Sequence, residues 1–409
     1  MKEFTLLLSS CLAVCIISCN KEEPLLTNQR KDISIETRHD AFVEKGKDFS
    51  FNLLREYYSI KGGGFVISPL SIEFVLGMIN YGSQGKSSDE ICLALGYGYD
   101  EKENIAEYAS SLNNQLVELD KSTLLYSANG VYISDKYHFK DYYKKGANEY
   151  YSANTMELNF SDAHAQKTIN ENIKEKTHSK IPNAIKHLNS GVEALFLNAI
   201  YFEGKWSSKF DNKNTKEHPF ITEAGDVRKV SLMNQKQDFR YYKSGSFATV
   251  FLPYGNGAFN MVIVLPDKGY SVQSIIEEMN SESWNKLISK ADHKEVDLYI
   301  PKFKIEYTND NLIPVMNNLG IESIFDDKAD LTLIADGFNN SISQMSQSIF
   351  LDVDESGTKA SIKTKALSGL ILGELIPKTV TFKADHPFVY FIMERSTGII
   401  ILEGVYSGA

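Results

Sequence analysis

Apolar residues follow two different rhythms along this chain, and the change comes near its middle. In the first half they recur at helical spacing. "HDAFVEKGKDFSFNLLREYYS" sets Phe42, Phe49, Phe51, Leu53, Leu54 and Tyr57 along one face. "SPLSIEFVLGMINYGS" opens with Ser68 and Pro69, a capping hydroxyl and a first-turn proline. It then stays apolar almost all round, which predicts a buried helix. "SSDEICLALG" predicts a shorter helix ending at Gly96, and "EKENIAEYASSLNNQLVELD" and "DAHAQKTINENIKEKTHSK" predict amphipathic helices. The second half is β-branched and aromatic: "EALFLNAIYFEGKW", "FATVFLPY", "FNMVIVLP", "EVDLYIPKFKIEY", "SIFLDVDE", "KTVTFKADHPFVYFIME" and "GIIILEGVY" predict strands. Several are apolar on both faces and so predict central positions. "NDNLIPVMNNLG" and "SVQSIIEEMN" predict helices between them. Helices segregated from strands give an α+β fold rather than a doubly wound sheet. No internal repeat is present.

Composition adds few bounds. The 409 residues are 43% hydrophobic, enough for a large core, and nothing inside the chain reads as a linker. One large domain is therefore expected. The net charge of -10, with no basic aromatic stripe, argues against nucleic-acid binding.

The N-terminus changes the picture more. Met1 and Lys2 precede an apolar run from Phe4 to Ile17. It has the length of a signal h-region and is too short to span a membrane. "IISC" ends it and resembles a bacterial lipobox, whose Cys19 would carry lipid and become the first mature residue. The expected organisation is a signal peptide over 1–18, a polar tether over 19–40 and a domain over 41–409. The domain would be lipid-anchored in the cell envelope, facing away from the cytoplasm. Cys11 and Cys15 would leave with the signal, so Cys92 remains alone, as a small core residue at an apolar helical position.

Chemistry-bearing motifs are missing. There is no HExxH, CxxC or P-loop, and "YGSQGK" lacks the spacing of a nucleophile elbow. No pair among the eight histidines has a metal-ligand spacing. The expectation is a protein that is not an enzyme and uses no metal or cofactor.

The strand blocks carry a family resemblance. "ALFLNAIYFEGKWSSKF", "FKADHPFVYFI", "FVISPLSIEFVLGMINYGSQGKSSDEI" and "IPKFKIEYTNDNLIPVMNNLGIESIFDDKADLTLI" resemble, in order from about Phe42 to Val405, the serpin family of serine protease inhibitors. The resemblance implies one domain with three β-sheets, about nine helices and an exposed reactive-centre loop. It matches Ser68, Ser71 and Asn198 to the polar "shutter" under the centre of the main sheet, and Trp206 to the "breach" tryptophan at its top. Counting back from Glu355, Gln347 stands where the family has a shutter histidine; an amide cannot carry charge. In "NENIKEKTHSKI", Asn172 and Ser179 replace a tryptophan and a glycine usual in the family, which leaves the packing of that helix open.

The same resemblance marks "ESGTKASIKTKALSGLILGELIPK", about 355–378, as the reactive-centre loop. Its hinge residues are Glu355, Gly357, Thr358, Ala360 and Ser361. A physical pattern stands beside the match. Thr358, Ala360, Ile362, Thr364, Ala366 and Ser368 are small or uncharged, whereas Lys359, Lys363 and Lys365 fall in the intervening set. In a strand the two sets face opposite ways. No proline stands between Glu355 and Pro377, so every residue there can donate to a ladder. The segment reads as a strand awaiting insertion, although Ile362 is bulkier than usual in a hinge.

Sixteen positions beyond Glu355 lies Ile371; counting back from Phe382 gives Gly373 or Glu374. The bait window is therefore "GLILGE", with Ile371 and Leu372 favoured and Leu370, Gly373 and Glu374 as alternatives. Its apolar residues point to elastase-, chymotrypsin- or subtilisin-like targets held in a covalent complex, with cysteine proteases as a further class. A monomer is expected. The competing expectation is a non-inhibitory serpin acting as a binding or carrier protein. Such members usually spoil the hinge with prolines or large inward charges, which this hinge lacks.

Overall fold

Phe42, Phe49, Phe51, Leu53, Leu54 and Tyr57 are buried along a single helix, as their spacing requires. The computed structural model describes residues 28–99, 101–188, 191–309, 311–338, 341–357 and 379–408. Among them are nine α-helices: α1 (Asp40–Lys61), α2 (Pro69–Tyr81), α3 (Gly85–Ala94), α4 (Lys102–Leu116), α5 (Asp141–Tyr151), α6 (Ala163–Lys176), α7 (Val272–Glu278), α8 (Ser281–Lys290) and α9 (Ile313–Asn318). The strands are β1 (Phe65–Ile67), β2 (Leu124–Ser134), β3 (His138–Phe139), β4 (Asn154–Leu158), β5 (Ala194–Glu203), β6 (Lys216–Ile221), β7 (Val227–Lys243) and β8 (Phe247–Tyr254). They continue with β9 (Phe259–Pro266), β10 (Asp292–Pro301), β11 (Phe303–Asn309), β12 (Ala335–Asp336), β13 (Gln344–Val353), β14 (Val380–Lys383), β15 (Phe388–Glu394) and β16 (Ile400–Tyr406).

Three sheets result among the described residues, the smallest a short pairing of β3 with β12. The main sheet is five-stranded, in the order β11-β13-β5-β2-β4. A second, nine-stranded, runs β1-β16-β15-β9-β8-β7-β10-β14, with β6 paired to the long β7. The α+β expectation holds. On β5, Leu195, Leu197, Ala199 and Tyr201 face Ala165, Ile169 and Ile173 of α6, while Phe196, Ile200 and Phe202 enter the larger core. This two-residue alternation turns Asn198 inward, beneath the sheet. The core lies between the main and second sheets and continues under α1, α2 and α4.

The structure differs from expectation in three respects. α3 ends at Ala94, and Gly96 lies beyond it with φ +73, as the left-handed residue that closes the helix end. β2, α5, α8, β6 and β7 are further elements that the apolar rhythm did not announce. From Asn28 the polar stretch expected as tether lies against the domain. Asn28 Nδ2 donates to Asp120 Oδ1 at 2.7 Å, and Ser34 and Gln115 exchange bonds of 2.8 and 3.0 Å. Arg38 pairs with Glu107 at 2.6 Å. Ile33, buried in the core cluster, and Ile35, packed against it, are apolar anchors hidden in a stretch whose average is polar. Cys19 lies outside the described residues.

Candidate functional site

The seam between β5 and β13 organises the site. The two strands run parallel and pair directly, from Leu195 opposite Gln344 to Tyr201 opposite Phe350. Past that pair the ladder stops, although the strands continue to Glu203 and Val353. Polar residues gather at two levels along this seam.

The lower level is the N-terminus of α2. Gln347 reaches from β13 to both polar groups of one residue. Its Oε1 accepts from the Ser68 N–H at 2.9 Å and its Nε2 donates to the Ser68 carbonyl at 3.0 Å. The Ser68 hydroxyl caps the helix, accepting from the Ser71 N–H at 3.2 Å, and donates to the Ile401 carbonyl of β16 at 2.6 Å. Ser71 is buried beside it. Asn198 sits next to Gln347 in register but turns its amide the other way. Its Nδ2 donates to Asn129 Oδ1 at 2.7 Å and to Ser127 Oγ at 3.0 Å, and Asn129 donates to the Tyr151 carbonyl at 2.7 Å. Register sets Asn129, Asn198, Gln347 and Asn309 in one row across four adjacent strands. Ser68, Ser71 and Gln347 are thus brought together, and Asn198 adjoins them through a second network. Ser127, Asn129 and Asn309 were missed by sequence reasoning. The available signal was an amide inside an otherwise apolar strand, which must find buried partners.

The upper level is where the chain leaves β13. Trp206 stacks on Tyr254 with ring centres 4.4 Å apart, and its indole N–H donates to the Asp354 carbonyl at 2.8 Å. The backbone N–H groups of Trp206 and Phe210 donate to the carbonyls of Ser356 at 3.3 Å and Glu355 at 3.0 Å. The segment after β13 therefore folds back over the segment after β5. Gly357 has φ +75, and a Cβ there would come within 2.0 Å of the Trp206 nitrogen, so only glycine fits this approach. The Glu355 carboxylate is held by Lys302 Nζ and Thr215 Oγ1, each at 2.8 Å. Burial alone would raise its pKa; the bonds from Lys302 and Thr215 outweigh that and hold it below the usual carboxylate range. The bond to Glu355 raises the Lys302 pKa in turn.

Thr358, Ala360, Ser361 and the bait positions Leu370, Ile371, Leu372, Gly373 and Glu374 lie outside the described residues. Thr379 leads into β14, which runs parallel to β10 at the edge of the nine-stranded sheet. Among the described residues no cluster of three His, Cys, Asp or Glu side chains is arranged to hold a metal, and no helix is long and apolar enough to cross a membrane.

A five-stranded sheet with a parallel central pair, a clamped strand exit and a long excursion back to a separate sheet define a class of protein. Residues 44–407 match the family described as Serpin (serine protease inhibitor). The chain belongs to the serpin family, whose members are mainly protease inhibitors rather than catalysts. It is 31% identical over 367 residues to the leukocyte elastase inhibitor of Sus scrofa, covering 87% of this chain and 95% of that protein. It is 32% identical over 338 residues to serine protease inhibitor 42Dd of Drosophila melanogaster, with 81% and 88% covered. The native-state structure of tengpin, a thermophilic serpin, superposes with a TM-score of 0.81 at 26% identity, covering 93% of this chain and 97% of that one.

Proposed function

We propose that this serpin inhibits extracellular serine proteases as a suicide substrate. The observation that carries the reading is the seam: β5 and β13 are parallel neighbours with no strand between them, and the hinge at Glu355–Gly357 leaves from the end where their ladder stops. A chain folding back from β13 would run antiparallel to both strands, so it could pair with each. The protease serine attacks the scissile carbonyl of the loop. An ester joins that serine to the bait residue, and the amine of the C-terminal fragment leaves. The freed segment then inserts, with Thr358, Ala360, Ile362 and Thr364 on one face and the lysines on the other. About fourteen residues at ~3.3 Å each carry the acylated protease roughly 45 Å along the sheet. The native fold is a kinetic trap, and insertion releases what it stores. The nucleophile belongs to the target, so this chain supplies no catalytic residue.

"GLILGE" suits targets with apolar primary pockets, of the elastase, chymotrypsin or subtilisin kind, and the similarity to an elastase inhibitor supports that choice. The test is incubation with elastase, chymotrypsin, subtilisin and trypsin, followed by a denaturing gel and mass spectrometry. A band at the summed mass that survives denaturant is expected. The released C-terminal peptide then names the bait residue among Leu370, Ile371, Leu372, Gly373 and Glu374. Clipping by every protease with no covalent band would reject inhibition in favour of a binding or carrier role.

We also propose a lipid anchor at Cys19, which the likeness of "IISC" to a lipobox supports. Labelled palmitate should enter the wild-type chain and not the Cys19→Ala variant; equal labelling would reject the anchor.

A further inference from the structure

The hinge already carries a strand register. Gly357 makes antiparallel bridges on two sides, to Asp354 just past β13 and to Lys205 just past β5. These two partners stand at one level, because β5 and β13 keep a constant offset from Leu195 opposite Gln344 to Tyr201 opposite Phe350. Gly357 therefore occupies the place of a strand between them and runs against both. In an antiparallel ladder each step forward on one strand meets a step back on its neighbour. The residues that follow Gly357 are thereby assigned partners on both sides.

Continued along the seam, this register would set Lys359 between Glu203 and Asp352, Ser361 between Tyr201 and Phe350, and Thr364 between Asn198 and Gln347. Side chains alternate, so Lys359 and Ser361 would share the face of Tyr201 and Phe350, on the side of α6, and Thr364 the face of Asn198. Two of these placements match what the strands offer. Ser361 is small where the rings of Tyr201 and Phe350 now stack with centres 5.8 Å apart. Asn198 Oδ1 is buried without a partner among the described residues, and Thr364 would bring it a hydroxyl donor.

The third placement joins opposite charges. Asp352 is half-buried, and among the described residues it makes no hydrogen bond or ion pair. Lys304 stands opposite it on β11, but its ammonium lies over the Phe350 ring, 4.9 Å from the centre. Lys302 is taken by Glu355 at 2.8 Å. Burial and the nearby Asp354 accordingly raise the Asp352 pKa, against a weaker pull from the two lysines. On the other side of the seam, Glu203 Oε2 accepts from Lys180 Nζ and from the Tyr201 hydroxyl, each at 2.6 Å. Its Oε1 has no hydrogen-bond partner among the described residues, so both carboxylates keep acceptors to spare.

We propose that Glu203 and Asp352 receive Lys359 as the loop enters the main sheet, and that this contact fixes the register of the inserted strand. A slip of one residue would turn the lysines beneath the sheet, and burial alone forbids it. A slip of two keeps every side chain on its proper face. It is opposed only by what stands at each level, since it would leave the two carboxylates opposite Gly357 or Ser361. Glu203 and Asp352 are positioning residues; they touch neither the protease nor the scissile bond. The inference rests on the inhibitory reading, because it requires the loop to insert.

The test cuts the loop within "GLILGE" with a saturating metalloprotease, which forms no acyl-enzyme. Entry of the strand is followed by Trp206 fluorescence and by the rise in melting temperature. Wild type is compared with Lys359→Glu, Asp352→Lys and the variant that carries both. Lys359→Glu should enter roughly tenfold more slowly than wild type, as expected when a half-buried attraction becomes a repulsion. Adding Asp352→Lys should recover most of that loss, and the differences should shrink in 1 M salt. Should the Asp352 variants fail to fold, the loop variants decide: Lys359→Gln should fall between wild type and Lys359→Glu. Equal rates for wild type and Lys359→Glu, or a double variant as slow as Lys359→Glu, overturn the proposal and leave inhibition standing. A wild-type loop that is cut and gains no melting temperature refutes the inhibitory reading and this one with it.

Discussion

Gln347 satisfies two buried backbone groups of Ser68 with one side chain, and no other residue type offers a donor and an acceptor at that reach without a titrating proton. Gln347→Ala should strand the Ser68 N–H, while the Ser68 carbonyl keeps the Ile72 N–H, and destabilise the native state by about 1–3 kcal/mol, seen in denaturant unfolding or as faster spontaneous loss of the native form. An unchanged midpoint would remove Gln347 from the clamp. Glu355 carries a pH prediction. Its native pKa is depressed, so its contribution is present above the ordinary glutamate range and is lost as pH falls through the lower native value. Lys302 is 46% exposed, which screens the pair and keeps the effect modest. Trp206, bonded to Asp354 beside Glu355, should report it: its fluorescence should change on acidification below about pH 4.5, and a Glu355→Gln variant should lack that transition. Gln347 and Glu355 were legible in the sequence because a family pattern marks them. Asn129 was not, because nothing local says that an amide in "SANGV" will meet another strand's amide.

At the scale of elements, α6 shows how a helix can lose a usual anchor and keep its place. Asn172 donates to Met156, while Ala165, Ile169 and Ile173 form the apolar stripe that grips the sheet. The substitution therefore leaves the packing intact. The helix exit is less comfortable: His178 and Ser179 have φ of 49 and 65, a region that costs side chains energy. Ser179→Gly should stabilise the native state by up to ~1 kcal/mol, and a fall in midpoint would show that the serine has a compensating contact. The loop that follows is tied to β13 by Ser348, which donates to the Ala184 carbonyl at 2.8 Å. Buried helices and central strands were readable here because their apolar residues repeat at the element's own period. β2 was obscured by Ser127, Asn129 and Gly130, which read locally as turn residues. Yet Gly130 is required where it stands, since a Cβ would come within 2.5 Å of the Tyr132 ring. β7 was obscured for another reason: its residues are mostly exposed or half-buried, so pairing with β6 and β10 rather than burial makes it a strand.

For the molecule as a whole, the decisive quantity is the stability gap between the five-stranded and the inserted sheet. Cleaving the loop within "GLILGE" and heating the product measures it: the nicked protein should melt well above the native one. A melting temperature near the native value would mean that the loop does not insert. The α+β class was legible because helices and strands are segregated along the chain, and the three-sheet domain because its strand blocks resemble a known family. The wedge of α2 between β16 and β13 was not, since it depends on contacts between residues that are distant in sequence.

The docked N-terminal segment has a consequence for geometry at a membrane. Asn28 bonds Asp120 and Asn256, and the adjacent Gly255 bonds Lys205 next to Trp206. If Cys19 carries the lipid, the nine residues from there to Asn28 form a leash of at most ~30 Å, fully stretched. The hinge pole of the protein would then ride low over the bilayer. A protease caught there and swung to the opposite pole would be lifted off the surface it came to digest.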